Sequence, residues 1–173
     1  LAASLPTKRD LYAGIEAADS IALDYHKWLY QPFEIGCTLV RNWDVLTQTY
    51  HKSAEYLDYG ANAKRFDVSS HHFDLSRNTK AFKVWMSFKA YGAGNFRHMI
   101  AKDITLSSYL ADLIRAADDF ELVSCAELAI VCFRYTGDGS NDETEVDDHN
   151  TRLLAELEED GRIFITGTKL NGR

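Results

Sequence analysis

The feature that most constrains this chain is a change of hydrophobic period at Arg77. Before it the apolar runs are short and strand-like. After it, "RNTKAFKVWMSFKAYG" places Phe82, Trp85, Met86 and Lys89 at three- and four-residue spacing, which is the spacing of a helix. Gly92 stands where that helix should end. A second long helix is expected over about residues 95–117, with Phe96, Met99, Ile100, Leu110, Leu113 and Ile114 as its buried stripe. The Trp85–Met86 pair reads as core. A chain with both periods must build a mixed α/β structure.

The flanking segments fill in that frame. Residues 7–18 read as a short helix or helical turn, and "SIALD" (20–24) as a buried strand. "GCTLVRN" (36–42) reads as a second strand, and "WDVLTQTY" (43–50) as a helix capped by Asn42. Residues 51–76 keep no period and are rich in His, Ser, Asp, Asn and Gly. A loop of that length is usually functional or mobile. In the last third, "FELVS" (120–124), "ELAIVCFRY" (127–135) and "RIFIT" (162–166) read as strands. Asn150 is placed to cap a helix over "TRLLAELEED". These elements suggest a small α/β subdomain.

Charge and cysteine content exclude several classes. The net charge is −7, and the stretch 138–148 alone carries six acids and no base. The rest is near neutral and lacks the basic footprint of a nucleic-acid binder. That acidic stretch reads as a solvated loop tip without the full pattern of a calcium loop. No apolar run approaches the roughly 20 residues that span a bilayer, and no basic-then-apolar leader opens the sequence. Cys37, Cys125 and Cys132 lack metal-site spacing, so they read as buried free thiols in a reducing compartment, with no metal expected.

One segment suggests chemistry. In "DSIALDYHKWLY" (19–30) a strand-like run ends in Asp24, Tyr25, His26, Lys27 and Trp28. A lysine at a strand end among Ile21, Leu23, Trp28 and Leu29 would be partly desolvated, which favours the neutral amine. Such an amine can form a Schiff base with an aldehyde cofactor. An ordinary exposed turn has the same spacing.

The longer stretch "ADSIALDYHKWLYQPFEIGCTLVRN" resembles the lysine segment of the group II pyridoxal-phosphate-dependent amino-acid decarboxylases. In that family an Asp-Ser precedes a short strand, then Asp or Asn, one variable residue, and His-Lys-Trp. Asp19, Ser20, Asp24, His26, Lys27 and Trp28 match. Tyr25 stands where a small residue or Pro is usual. "LSRNTKAFKVWMSFKAYG" is similar to the family's following helix, with Asn78 in place of a second Arg. "FELVSCAELAIVCFRY" and "GRIFITGTKLNGR" resemble its C-terminal strands. The likeness covers nearly the whole chain.

The resemblance implies the C-terminal part of a fold-type-I, PLP-dependent transferase-like fold. Residues 1–92 would complete the large cofactor domain, with a mobile loop at 51–76, and residues 93–173 would form most of a small α/β domain, truncated at its end. It implies pyridoxal 5'-phosphate held by Lys27 as an internal aldimine, with His26 beside it and Asp24 and Ser20 near the phosphate. It implies decarboxylation of an L-amino acid to the amine. An aldehyde synthase or carbon–carbon lyase of the same fold, and an inactive segment serving only assembly, are the other readings. It implies a cytoplasmic homodimer with the active site at the subunit interface, without nucleic acid or membrane. The family's pyridine-binding Asp and ring-stacking His would lie upstream of Leu1, so this segment alone is expected to be inactive. Aromatic-amino-acid members carry a catalytic loop Tyr at a place that falls near Val68. Here Tyr56, Tyr59, His71 and His72 are the candidate loop proton donors.

Overall fold

Alternation builds the first strand. In β1 (Ser20–Asp24) Ile21 and Leu23 point to the half-buried face, while Ser20, Ala22 and Asp24 point outward. It pairs antiparallel with β2 (Gly36–Val40), from Ser20 opposite Val40 to Asp24 opposite Gly36. The expected strand thus forms with its expected bounds, and the two strands make a hairpin. The structure is a computed structural model and describes residues 1–51, 68–124, 127–137 and 142–170.

The segment 7–18, read as a short helix or helical turn, forms helical turns of the 3₁₀ type, Pro6–Tyr12 and Ile15–Ala17. Gly14 separates them at φ 91°, a left-handed conformation that interrupts a continuing helix. The Arg41 guanidinium ties this leader to the hairpin by donating to the carbonyls of Ala18 and Glu16.

Helix α1 (Trp43–Tyr50) starts where its cap predicts. The Asn42 side chain accepts from the Asp44 N–H at 2.9 Å. A short turn at Val68–His71 packs against α1. Helix α2 (Lys80–Ala116) is broken at Gly92, whose φ of 75° and ψ of 152° are not helical. The two expected helices are therefore present, with the break where the sequence placed it. Phe96, Ile100, Ile104, Ala111 and Ile114 form the buried stripe, whereas Leu110 and Leu113 are 39% and 49% exposed. Trp85 and Met86, expected in the core, are half exposed, and Phe82 stacks on Trp85 at the surface. The inward face of this turn is polar and belongs to Lys80, Lys83 and Ser87.

The chain divides into two compact units, Leu1–Ile100 and Ala101–Arg173. In the second, β3 (Phe120–Leu122) pairs antiparallel with β4 (Phe133–Tyr135), and Phe120 packs against Phe133 and Tyr135. β4 is shorter than the expected 127–135, and 162–166 joins no ladder. An apolar run becomes a strand only where a partner satisfies its backbone.

Helix α3 (Glu143–Asp160) also departs from expectation. It begins inside the acidic stretch, with the Asp142 side chain accepting from the Thr144 N–H at 2.9 Å. Glu143 and Glu145 lie in its first turn, where the helix dipole favours acids. The acids from 142 to 148 are therefore a helix start rather than a loop tip. Asn150 lies within the helix and caps nothing. Its Oδ1 accepts from the Tyr135 N–H, and its Nδ2 donates to the carbonyls of Tyr135 and Val146. Gly161 ends the helix in the left-handed region at φ 70°.

Candidate active site

The hairpin connection, residues 25–35, holds the candidate lysine. Its two ends converge on Tyr25. The Tyr25 N–H donates to the Ile35 carbonyl, and the Gln31 N–H donates to the Tyr25 carbonyl, both at 3.1 Å. Between them the Lys27 N–H reaches the Asp24 carbonyl at 3.3 Å, and the Tyr30 N–H the Lys27 carbonyl at 3.0 Å. Tyr30 adopts φ 54°, the left-handed bend that turns the chain back. Leu29 and Ile35 are buried beneath the turn, at 5% and 3% exposure.

Lys27 Nζ sits 2.6 Å from Asp24 Oδ2. The hydrogen bond from Lys27 holds the Asp24 carboxyl below its ordinary value, and the charges of Lys27 and His26 act the same way. The Lys27 side chain is 70% exposed, so the desolvation expected from its apolar neighbours is absent in this chain. His26 is held from one side. Its Nδ1 lies 2.9 Å from the Ile35 carbonyl and 3.2 Å from the Ile35 N–H, so it donates to one or accepts from the other according to tautomer. Phe33 meets the imidazole edge-on at 4.9 Å. Ring orientation is thereby fixed, and Nε2 is the nitrogen that can meet a ligand.

The structure thus brings Asp24, His26 and Lys27 together. Ser20 is not in that group. It shares the outward face with Asp24 but starts the strand, about 13 Å away along it at ordinary strand rise. His71 is engaged with α1, through Thr47 at 3.3 Å and the edge of Trp43 at 5.2 Å. His72 Nδ1 accepts from the Asp74 N–H at 2.9 Å. Tyr56 and Tyr59 lie outside the described residues. Cys37 and Cys132 are free but half-buried rather than buried, and Cys125 is outside the described residues.

Sequence reasoning missed the supports of the turn. Tyr25 bonds Cys37 across the hairpin; that bond, with partial burial, pushes the phenol from 10.0 up to about 12. Lys83 Nζ donates to the carbonyls of Pro32 at 3.0 Å and Glu34 at 3.1 Å. Lys80 pairs with Glu34 at 2.6 Å, and that bond lowers the Glu34 carboxyl. The available signal was the spacing of Lys80, Lys83 and Ser87, which share one helical face. In the second unit a cavity of about 910 Å³, lined by residues such as Leu106, Leu110, Phe133 and Leu153, contains none of the candidate residues.

Comparison with known proteins bears on this turn. The family described as "Pyridoxal-dependent decarboxylase conserved domain" matches residues 4–136. The aromatic-L-amino-acid decarboxylase of Bacillus atrophaeus is 36% identical over 159 residues, 91% of this chain and 33% of that protein. Tyrosine decarboxylase 3 of Petroselinum crispum is 32% identical over 172 residues, 96% of this chain and 33% of that protein. The crystal structure of Oryza sativa TDC with PLP and tryptamine superposes with a TM-score of 0.92 at 29% identity, covering 99% of this chain and 36% of that one. The chain spans about a third of the length of these relatives. The family match includes the whole lysine hairpin, and the α/β fold is that of the structural neighbour, so this chain belongs to the pyridoxal-dependent decarboxylase family.

Proposed function

We propose that the protein containing this chain is a pyridoxal-phosphate-dependent decarboxylase of an L-amino acid, aromatic by the names of its relatives, and that Lys27 carries the cofactor. The observation that carries this reading is an exposed primary amine at the apex of a braced hairpin, 2.6 Å from one carboxylate, in a chain of that family. The donor set fits the cofactor. An aldehyde can reach a side chain that is 70% exposed, and an oriented imidazole lies next to it.

When bound, pyridoxal phosphate supplies the electron sink for the pair left behind as carbon dioxide departs. The residues of this chain prepare for that. Asp24 orients Lys27 through their 2.6 Å contact. As an anion it is a poor partner for a phosphate, so this reading assigns it to the lysine. His26, fixed at Nδ1 by Ile35, can hold or move a proton at Nε2. Leu29 and Ile35 keep water from the underside of the turn. A cytoplasmic homodimer with its site at the subunit interface, and a domain junction at the Gly92 break, belong to the same reading.

The test is chemical trapping in the full-length protein. Pyridoxal phosphate followed by borohydride should leave a stable label that peptide mass spectrometry maps to Lys27. A label that persists in Lys27→Ala would sink the assignment. Mass spectrometry of products after incubation with aromatic L-amino acids should show the amine; the aldehyde instead would make the protein an aldehyde synthase.

A further inference from the structure

Among the described residues Gln31 is the buried polar side chain, 5% exposed. A buried amide is costly unless both its ends are paired, and here both are. Nε2 donates to the Leu29 carbonyl at 2.9 Å, inside the lysine turn. Oε1 faces Ser87 Oγ on α2 at 3.0 Å. The Ser87 hydroxyl also reaches the Lys83 carbonyl at 2.9 Å, so its one hydrogen is shared between the two acceptors. The Gln31 backbone N–H meanwhile closes the turn on the Tyr25 carbonyl. One residue therefore touches the start of the turn, its far side and the helix beneath it.

Its neighbours repeat the pattern. Lys83 holds the carbonyls of Pro32 and Glu34, and Lys80 holds the Glu34 carboxylate. These last contacts are exposed and solvent-screened, so they weigh little. The Gln31–Ser87 contact is the shielded one. Anything that loosens it frees the segment 31–35, and with it Ile35, which fixes His26.

We infer that Gln31 is a positioning residue. It locks the 25–31 turn to α2, and so sets where Lys27 stands relative to Asp24 and His26. The inference rests on the reading of Lys27 as the cofactor lysine, but its test does not require cofactor. Apo full-length protein is pulsed with acetic anhydride, and acetylation at Lys27 is divided by acetylation at Lys102, an exposed lysine of the second unit. Gln31→Leu removes both amide contacts and releases Lys27 from Asp24. The ratio should rise about five-fold, the equilibrium weight of one net hydrogen bond. Ser87→Ala should raise it about two-fold, because a water molecule can donate to Gln31 Oε1 in place of the hydroxyl and take over part of the contact. Ser87→Thr, which keeps the hydroxyl, should return it to the wild-type value.

A merely structural role for Gln31 would lower the melting temperature and leave the ratio alone. A wild-type ratio in Gln31→Leu overturns the inference. If that variant does not fold, Ser87→Ala decides by the same criterion. Borohydride trapping of wild-type protein separates this claim from the functional one. A label away from Lys27 would remove the cofactor assignment and leave the acetylation result standing.

Discussion

Replacing Gly92 by Ala isolates a torsional cost. A Cβ built at Gly92 meets nothing within 4 Å, so no steric clash contributes. The backbone, at φ 75° and ψ 152°, lies near a region populated almost solely by glycine, where another residue costs about 1–3 kcal/mol. Alanine recovers about 0.5–1 kcal/mol through the lower entropy of its unfolded chain. The net expectation is a loss of about 1–2 kcal/mol. Gly94 is the internal control. It too has open space around its Cβ position, but it sits in helical backbone without a positive φ. Ala there should stabilise by about 0.5–1 kcal/mol. Urea unfolding of both variants, followed by tryptophan fluorescence and far-ultraviolet circular dichroism, reads the two signs. Equal signs, or a Gly92→Ala protein as stable as wild type, would refute the reasoning, because the break would then be held by something other than the glycine.

Asn150→Ala removes three hydrogen bonds, two that join α3 to β4 and one within α3. The site is half-buried, so water can replace part of them, and the expected loss is about 2 kcal/mol. Hydrogen exchange at the Tyr135 amide should accelerate, and an unchanged rate would count against the bridge. Tyr25 offers a prediction at high pH. Its folded value is raised from 10.0 to about 12 by the Cys37 bond and burial. The stability it contributes is therefore complete below pH 10 and lost as pH rises through about 12. Spectrophotometric titration of wild type against Tyr25→Phe should show the missing phenol ionising near pH 12. If the difference spectrum titrates near pH 10, the bond to Cys37 is not formed.

Local signals were legible where the physics is local. A short apolar run gave β1, an Asn before an apolar run gave the start of α1, and a glycine after a helical stripe gave the break in α2. Asp24, His26 and Lys27 stood out through the family resemblance of their segment, because an ordinary exposed turn has the same spacing. The misreadings share a cause: each depended on a partner remote in sequence. Nothing local tells that "RIFIT" lacks a ladder, or that Asn150 spends its amide on Tyr135. Six acids among residues 138–148 suggested solvent, although Glu143 and Glu145 stand in a first turn where the helix dipole favours acids. Trp85 and Met86 gave the right period but the wrong face, because Lys80, Lys83 and Ser87 are needed against the segment 31–34. Gln31 was invisible for the same reason, since its value lies in Ser87.

Surface loops ordinarily accept extra residues at small entropic cost, which is why insertions collect there. The 25–35 connection is a loop by position only. Its Tyr25 and Ile35 backbone groups are bonded to each other, the His26 ring spans the same gap, and the strands on either side end in register at Asp24 and Gly36. An inserted residue would have to part the imidazole from Ile35 or shift β2 by one place, which would turn Cys37 away from Tyr25. What keeps an amine at this apex is therefore a fixed count of residues as much as the identity of any one of them.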